Sequence, residues 1–166
     1  MVSPELQIGQ LRPEHDNSAF ACGTEALDAY LQRQASQDVH RRVASCFVAT
    51  TPDNRVIGYY TLASTSLLLS GLPISTQKKL PRYPLVPAVR MGRLAIDHTH
   101  KGRGLGAALL ADSLERTIAS EIASFAIVVD GKDDTAARFY LHHGFIPLPE
   151  TPLCLFLPLA GVRVLA

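Results

Sequence analysis

Met91-Gly92-Arg93-Leu94-Ala95-Ile96-Asp97, followed after three residues by Lys101-Gly102-Arg103-Gly104-Leu105-Gly106-Ala107-Ala108-Leu109-Leu110, reads as a strand, a glycine-rich turn and a helix. Glycines at alternate positions remove side chains where the backbone must approach something closely, and one glycine would suffice for a bare turn. The N–H groups of such a turn, together with the positive end of the helix dipole, form a site for phosphate, and Lys101 and Arg103 lie inside it. A Walker A loop is excluded, because no Lys-Ser/Thr pair follows at the required spacing. Gly102-x-Gly104-x-x-Ala107 matches the dinucleotide fingerprint in isolation, but only 60 residues follow Gly106, too few for the rest of a doubly wound sheet.

Working outward, residues 6–11 read as an opening strand, and Thr24 as the N-cap of a helix with Leu27, Tyr30 and Leu31 on one face. Residues 44–50 and 56–62 pair as a hairpin across the Pro52-Asp53-Asn54 turn. Residues 70–87 hold four prolines and are expected to form a long irregular loop of functional interest. The continuous apolar run 125–130 predicts a buried central strand, 134–143 a short helix ended by Gly144, and 154–157 a last strand. This order gives a mixed α/β sheet.

The chain has 166 residues, 47 % of them apolar and 19 % charged, the composition of one ordinary domain rather than a disordered or fibrous chain. Its apolar runs are too short to cross a bilayer, and Met1-Val2-Ser3-Pro4-Glu5 lacks the basic start and apolar run of a signal peptide, so no membrane partner and a cytoplasmic location are expected. Cys22, Cys46 and Cys154 form no CxxC pair and are expected to be reduced, buried small residues. The formal net charge of +1 hides an uneven distribution. Residues 78–103 carry seven bases, Lys78, Lys79, Arg82, Arg90, Arg93, Lys101 and Arg103, against Asp97 alone, while both flanks are net acidic. This segment is either a solvated loop or a strip facing a polyanion.

The strand-turn-helix resembles the acetyl-CoA motif of the GCN5-related N-acetyltransferases (GNAT), Q/R-x-x-G-x-G/A, with Gly104 and Gly106 in place and Lys101 where Gln or Arg is usual. Downstream, Asp133-Asp134-Thr135-Ala136-Ala137-Arg138-Phe139-Tyr140 ending in Gly144-Phe145 resembles the family's second signature, N-x-x-A-x-x-x-Y, with Asp133 in place of Asn. Within that superfamily the chain is similar, almost end to end, to the toxin acetyltransferases of type II toxin–antitoxin pairs. The likeness runs through Phe20-x-Cys22-Gly23, Leu27-Asp28-x-Tyr30-Leu31, Gly58-Tyr59-Tyr60-Thr61-Leu62, Pro84, Gly92-Arg93-Leu94-Ala95-Ile96-Asp97 and Leu155-Phe156-Leu157-Pro158. The resemblance implies the GNAT fold, an α/β (α+β) class with a mixed, mostly antiparallel central sheet flanked by helices, as a single domain over residues 1–166. It also implies transfer of acetyl from acetyl-CoA to the amino group of an aminoacyl-tRNA, which stalls translation. Neutralisation by a ribbon-helix-helix antitoxin and a homodimer are implied as well.

Carried onto this chain, the resemblance puts acetyl-CoA against Leu94, Ala95 and Ile96, where a strand bulge would expose polarising N–H groups. Its pyrophosphate falls on Lys101, Gly102, Arg103, Gly104, Leu105, Gly106, Ala107 and Ala108, with Asp133 and Phe139 beside it. Tyr140 stands where the family places a tyrosine near the thioester sulfur, as general acid; its other reading is a core aromatic next to Phe139. Asp97, His98 and His100 lie nearby, but isolated loop histidines are usually bystanders and no general base stands out. An α-amino group, with a pKa of about 8 or below, is already partly neutral and needs no strong base, unlike a lysine amine near about 10.4. His142 and His143 lack a third ligand at metal spacing, so no metal is expected. Lys78, Lys79, Arg82, Arg90 and Arg93 are candidates to grip acceptor-stem phosphates, and Arg93 is equally readable as a structural ion-pair residue.

Overall fold

The computed structural model describes residues 6–162. Among these, the strands are β1 (Gln7–Gln10), β2 (Ser45–Thr50), β3 (Val56–Leu68), β4 (Leu85–Ile96), β5 (Ala126–Asp130), β6 (Ile146–Leu148) and β7 (Thr151–Pro158). The α-helices are α1 (Glu25–Ala29), α2 (Ala35–His40), α3 (Ile74–Gln77), α4 (Leu105–Ala119) and α5 (Asp134–His142). The strands form one sheet in the order β1-β2-β3-β4-β5-β7-β6, in which β4 and β5 run parallel and the pairs β1–β2, β2–β3, β5–β7 and β6–β7 are antiparallel. The mixed α/β class and mostly antiparallel sheet expected from the sequence are present. Among the described residues two compact units are distinguished, one taking in residues 6–63 with Gly92–Glu115, the other Ser64–Met91 with residues 116–162.

In the first unit the β2–β3 hairpin turns at Asn54, whose φ of +66° is one that Asn tolerates. Gly58 is required by packing: a Cβ there would lie 3.0 Å from Leu109 Cδ1 and 3.3 Å from both Leu105 Cδ2 and Ile96 Cδ1, so the missing side chain lets α4 lie close on β3. The next two residues, Tyr59 and Tyr60, are fully buried, and each hydroxyl is satisfied, Tyr59 donating to the Leu27 carbonyl (2.7 Å) and Tyr60 to Asp112. The predicted first helix starts after Thr24, but the side chain that ties down its entry is Asp28, which accepts from Cys22 N–H (2.9 Å). The helix then widens through one π turn, Tyr30–Gln34, before α2; this wider turn brings Tyr30, Leu31 and Ala35 together in the core.

The second unit corrects the expected irregular loop at residues 70–87. β3 continues to Leu68, a short 3-10 turn (Leu69–Gly71) leads into α3, and β4 begins at Leu85. Pro73 is the N-cap of α3, its carbonyl accepting from Thr76 and Gln77, and the Pro84 carbonyl accepts from Leu69 N–H just ahead of β4. Leu67, Leu69, Leu72 and Val86 bury themselves with Ala88, Val128 and Phe156, so apolar burial orders a segment whose proline content suggested otherwise. β5 is the buried apolar strand expected, with Ala126, Ile127, Val128 and Val129 all 0 % exposed. β6 was not evident from sequence, being three residues with a proline in the middle. Cys22 and Cys46 are buried, whereas Cys154 is half-buried, a correction to the expectation that all three are core residues. No helix among the described residues is long and apolar enough to cross a membrane.

Candidate active site

In the first unit β4 delivers the chain to the glycine turn. Gly102 and Gly104 have φ of +77° and +79°, left-handed values that explain glycine at both places. A Cβ on Gly102 would meet nothing within 4 Å, so this side of the turn is open to a ligand. Leu105 opens α4 and is buried with Leu109 and Leu110, which fixes the helix while its first turn keeps N–H groups without intrahelical acceptors. An open, left-handed turn running into a helix N-terminus fits a pyrophosphate. Leu94 and Ile96 are half-buried and Ala95 is buried near the end of β4.

Lys101 has a specific partner, the Cys22 carbonyl, to which its Nζ donates. It thereby joins a network that sequence reasoning missed. Asp97, 1 % exposed, accepts from Ala21 N–H (3.0 Å), Thr99 N–H (3.1 Å) and the Thr99 hydroxyl, and lies 3.5 Å from Arg55 Nη2. His98 N–H donates to the Ala21 carbonyl, and its Nδ1 lies 2.9 Å from that same oxygen. Residues 21–22 are thus tied to the entrance of the turn, and Asp97 is committed to holding that connection. Arg93 places its guanidinium 3.4 Å above the Tyr30 ring, which stacks in turn on Tyr59. The contact is a cation–π one, and the Asp38 carboxylate, which accepts from the Tyr30 hydroxyl, also feels the Arg93 charge.

In the second unit Tyr140 is 7 % exposed, packed edge-on to Phe139 and tilted against Phe145. Its hydroxyl reaches only a soft partner, Met91 Sδ at 4.0 Å. Burial first, and the negative charge of Asp130 second, push this hydroxyl up to about 12, so it stays protonated across the physiological range. Asp133 caps α5, its Oδ1 accepting from Ala136 N–H (2.8 Å). Phe139 is half-buried between Tyr140 and His143.

The basic residues divide. Lys78 and Lys79, at the end of α3, and Arg82 are exposed beside Tyr83, itself 69 % exposed. Arg90 instead bonds Asp130 through Nη1. No cluster of three or more His, Cys, Asp or Glu that could hold a metal ion occurs among the described residues.

A model of the acetyltransferase (GNAT) domain matches residues 42–147. The tRNA-acetylating toxin of Mycobacterium tuberculosis is 37 % identical over 152 residues, covering 90 % of each chain. The probable toxin TacT of Sinorhizobium fredii is 32 % identical over 161 residues, covering 91 % of this chain and 89 % of its own. Among solved structures, a tyrosine-to-phenylalanine mutant of KacT superposes with a TM-score of 0.87 at 29 % identity, covering 94 % of this chain and 96 % of its own. AtaT complexed with acetyl-methionyl-tRNAfMet gives a TM-score of 0.82 at 34 % identity, covering 92 % of this chain and 94 % of its own. AtaT structures have also been solved with the C-terminus of the antitoxin AtaR and, as AtaTR, with acetyl-CoA. An open glycine turn running into a helix N-terminus, a buried tyrosine after the second signature, a matching GNAT domain model and similarity over nine-tenths of the sequence converge: the chain belongs to the GNAT acetyltransferase family.

Proposed function

We propose that this chain works as one acetyltransferase domain that moves acetyl from acetyl-CoA to the α-amino group of an aminoacyl-tRNA and thereby inhibits translation. The observation that carries this is the similarity, over 92 % of the chain, to a protein solved with acetyl-methionyl-tRNA. Acetyl-CoA supplies an activated acetyl thioester. Gly102, Gly104 and the N–H groups of Leu105, Gly106 and Ala107 hold its pyrophosphate, the Ala108 N–H being taken by the Gly104 carbonyl (3.1 Å), and the backbone of Leu94 to Ile96 orients the arm and polarises the carbonyl. Tyr140 donates its proton to the departing sulfur, since burial and the Asp130 charge push its hydroxyl up to about 12 and keep the proton on it until a thiolate forms. Phe139 buttresses Tyr140, and Asp133 acts through the cap that starts α5. Neutralisation by a ribbon-helix-helix antitoxin, and a homodimer, complete the proposal; an antitoxin as partner is supported by the complex of AtaT with the C-terminus of the antitoxin AtaR.

Incubation with acetyl-CoA and a pool of charged tRNAs, followed by nuclease digestion, is expected to release an acetylated aminoacyl-adenosine. Its absence for every tRNA, with small amines or protein N-termini acetylated instead, would reject the proposed acceptor. Exposed cations at Lys78, Lys79 and Arg82 are suited to phosphates, since each contact releases counterions. Replacing all three with Ala is expected to weaken tRNA acetylation and to lower the slope of log KM against log salt by about 2. Affinity for acetyl-CoA should stay unchanged, and equal loss of both would show that these residues serve the fold.

A further inference from the structure

Among the residues that the proposed chemistry leaves unassigned, Arg90, Asp130 and Cys154 lie at the end of β5, in the same unit as Tyr140. The parallel register sets Arg90 opposite Val128 and Met91 opposite Val129, and the antiparallel register sets Asp130 opposite Cys154. Side chains alternate faces along a strand, so Arg90, Val128, Asp130 and Cys154 share one face while Met91 and Val129 share the other. The bond between Arg90 and Asp130, and the packing of Val128 and Cys154 with one core cluster, agree with that assignment. Tyr140 lies on the Met91 face, its hydroxyl against Met91 Sδ. One residue of strand, a rise of about 3.3 Å, therefore separates the level of the tyrosine from a carboxylate presented on the opposite face. That carboxylate is 58 % exposed although Arg90 holds it, and its charge is felt at the Tyr140 hydroxyl.

An attacking amine and a departing sulfur take different positions around the carbonyl carbon, and a two-sided arrangement of acid and carboxylate suits them. We propose that Asp130, fixed by Arg90, is the carboxylate that receives an N–H of the acceptor α-amino group and takes up its proton as the new bond forms. In this step the amine lone pair forms the C–N bond and the carbonyl π electrons move onto oxygen. One N–H proton passes to Asp130 and on to water. As the carbonyl re-forms, the C–S bond breaks with its electrons going to sulfur, and sulfur receives the Tyr140 proton, which water replaces. Asp130 orients a partly neutral amine and stabilises the positive charge that grows on nitrogen. Arg90 then acts through Asp130, in contrast to its candidate role on tRNA phosphates.

This inference rests on Tyr140 being the acid, so Tyr140→Phe is run beside it. Asp130→Ala is expected to lower kcat by about 10- to 100-fold, at the low end of general-base effects because an α-amine is partly neutral, with the KM for acetyl-CoA unchanged. Added formate should restore several-fold activity to Asp130→Ala and none to Asp130→Asn, a signature that a structural role would not produce. Arg90→Met combined with Asp130→Ala should be no worse than Asp130→Ala alone; additive losses on tRNA would return Arg90 to the phosphates. An inactive Tyr140→Phe with Asp130→Ala within threefold of wild type, or an Asp130→Ala loss that formate leaves unmoved while melting temperature falls, would overturn the assignment. An active Tyr140→Phe would instead overturn the proposed acid.

Discussion

Tyr140→Phe is expected to lower the rate of acetyl transfer by about two to four orders of magnitude while leaving acetyl-CoA binding and the melting temperature close to wild type. The expectation follows from how little else the hydroxyl does. It is buried, and its contact is a thioether sulfur at 4.0 Å, a weak acceptor whose loss costs well under about 1 kcal/mol. The ring, by contrast, keeps Phe139 and Phe145 in place, and phenylalanine preserves it. Function and fold therefore separate cleanly at this position. The physical cause of the rate loss is that burial and the Asp130 charge hold the hydroxyl at about 12, so it is fully protonated when sulfur departs. Without it the thiolate must leave uncompensated beside a buried ring. Single-turnover transfer, isothermal titration with acetyl-CoA and a thermal scan check the three parts. A variant keeping kcat within threefold would remove Tyr140 from the chemistry, and a melting temperature lower by several degrees would make it a core residue.

The glycine turn and the tyrosine were legible because both depend on residue type at fixed spacing. Left-handed φ values at Gly102 and Gly104 allow almost nothing but glycine, and that leaves a mark in the sequence. The same holds for β5, whose four fully buried residues read as an unbroken apolar run. Elements decided by distant partners were not legible. α3 and the extensions of β3 and β4 form because Leu67, Leu69, Leu72 and Val86 find Val128 and Phe156, far along the chain, and local proline content pointed the other way. The division of the basic segment was equally hidden. Counting charges cannot reveal that Arg93 lies on the Tyr30 ring and Arg90 on Asp130 while Lys78, Lys79 and Arg82 face solvent. Lys101 occupies the motif position expected to meet acetyl-CoA, yet its charge is directed at the Cys22 carbonyl, 79 residues away in sequence.

That connection makes Asp97→Ala the substitution with the largest expected effect on stability. The carboxylate is 1 % exposed and receives the Ala21 and Thr99 N–H groups and the Thr99 hydroxyl. Truncation leaves at least two backbone donors without their acceptor, each costing about 1–3 kcal/mol when buried, so the total is about 2–6 kcal/mol, centred at about 4 kcal/mol. For a chain of this size the melting temperature should drop by about 10 °C. Asp97→Asn, which keeps one acceptor oxygen, should lose about half as much. The pH dependence has a definite sign. Burial by itself pushes the carboxyl up, but the Thr99 hydroxyl, the Ala21 and Thr99 amides and His98 bring it below the ordinary carboxylate value. A depressed folded-state pKa gives stability that is fully present above the unfolded value of about 3.9 and lost as pH falls through the folded one. Wild type and Asp97→Ala should therefore differ by a constant amount through neutral pH and converge in strong acid, as thermal scans across the range will show. Because Asp97 fixes Ala21 and Lys101 holds the adjoining Cys22 carbonyl, the loosened connection should also raise the KM for acetyl-CoA more than it lowers kcat. A melting temperature within about 2 °C of wild type would mean that the Ala21 and Thr99 amides find other acceptors, and that the entrance of the glycine turn is held by Lys101 and His98 without Asp97.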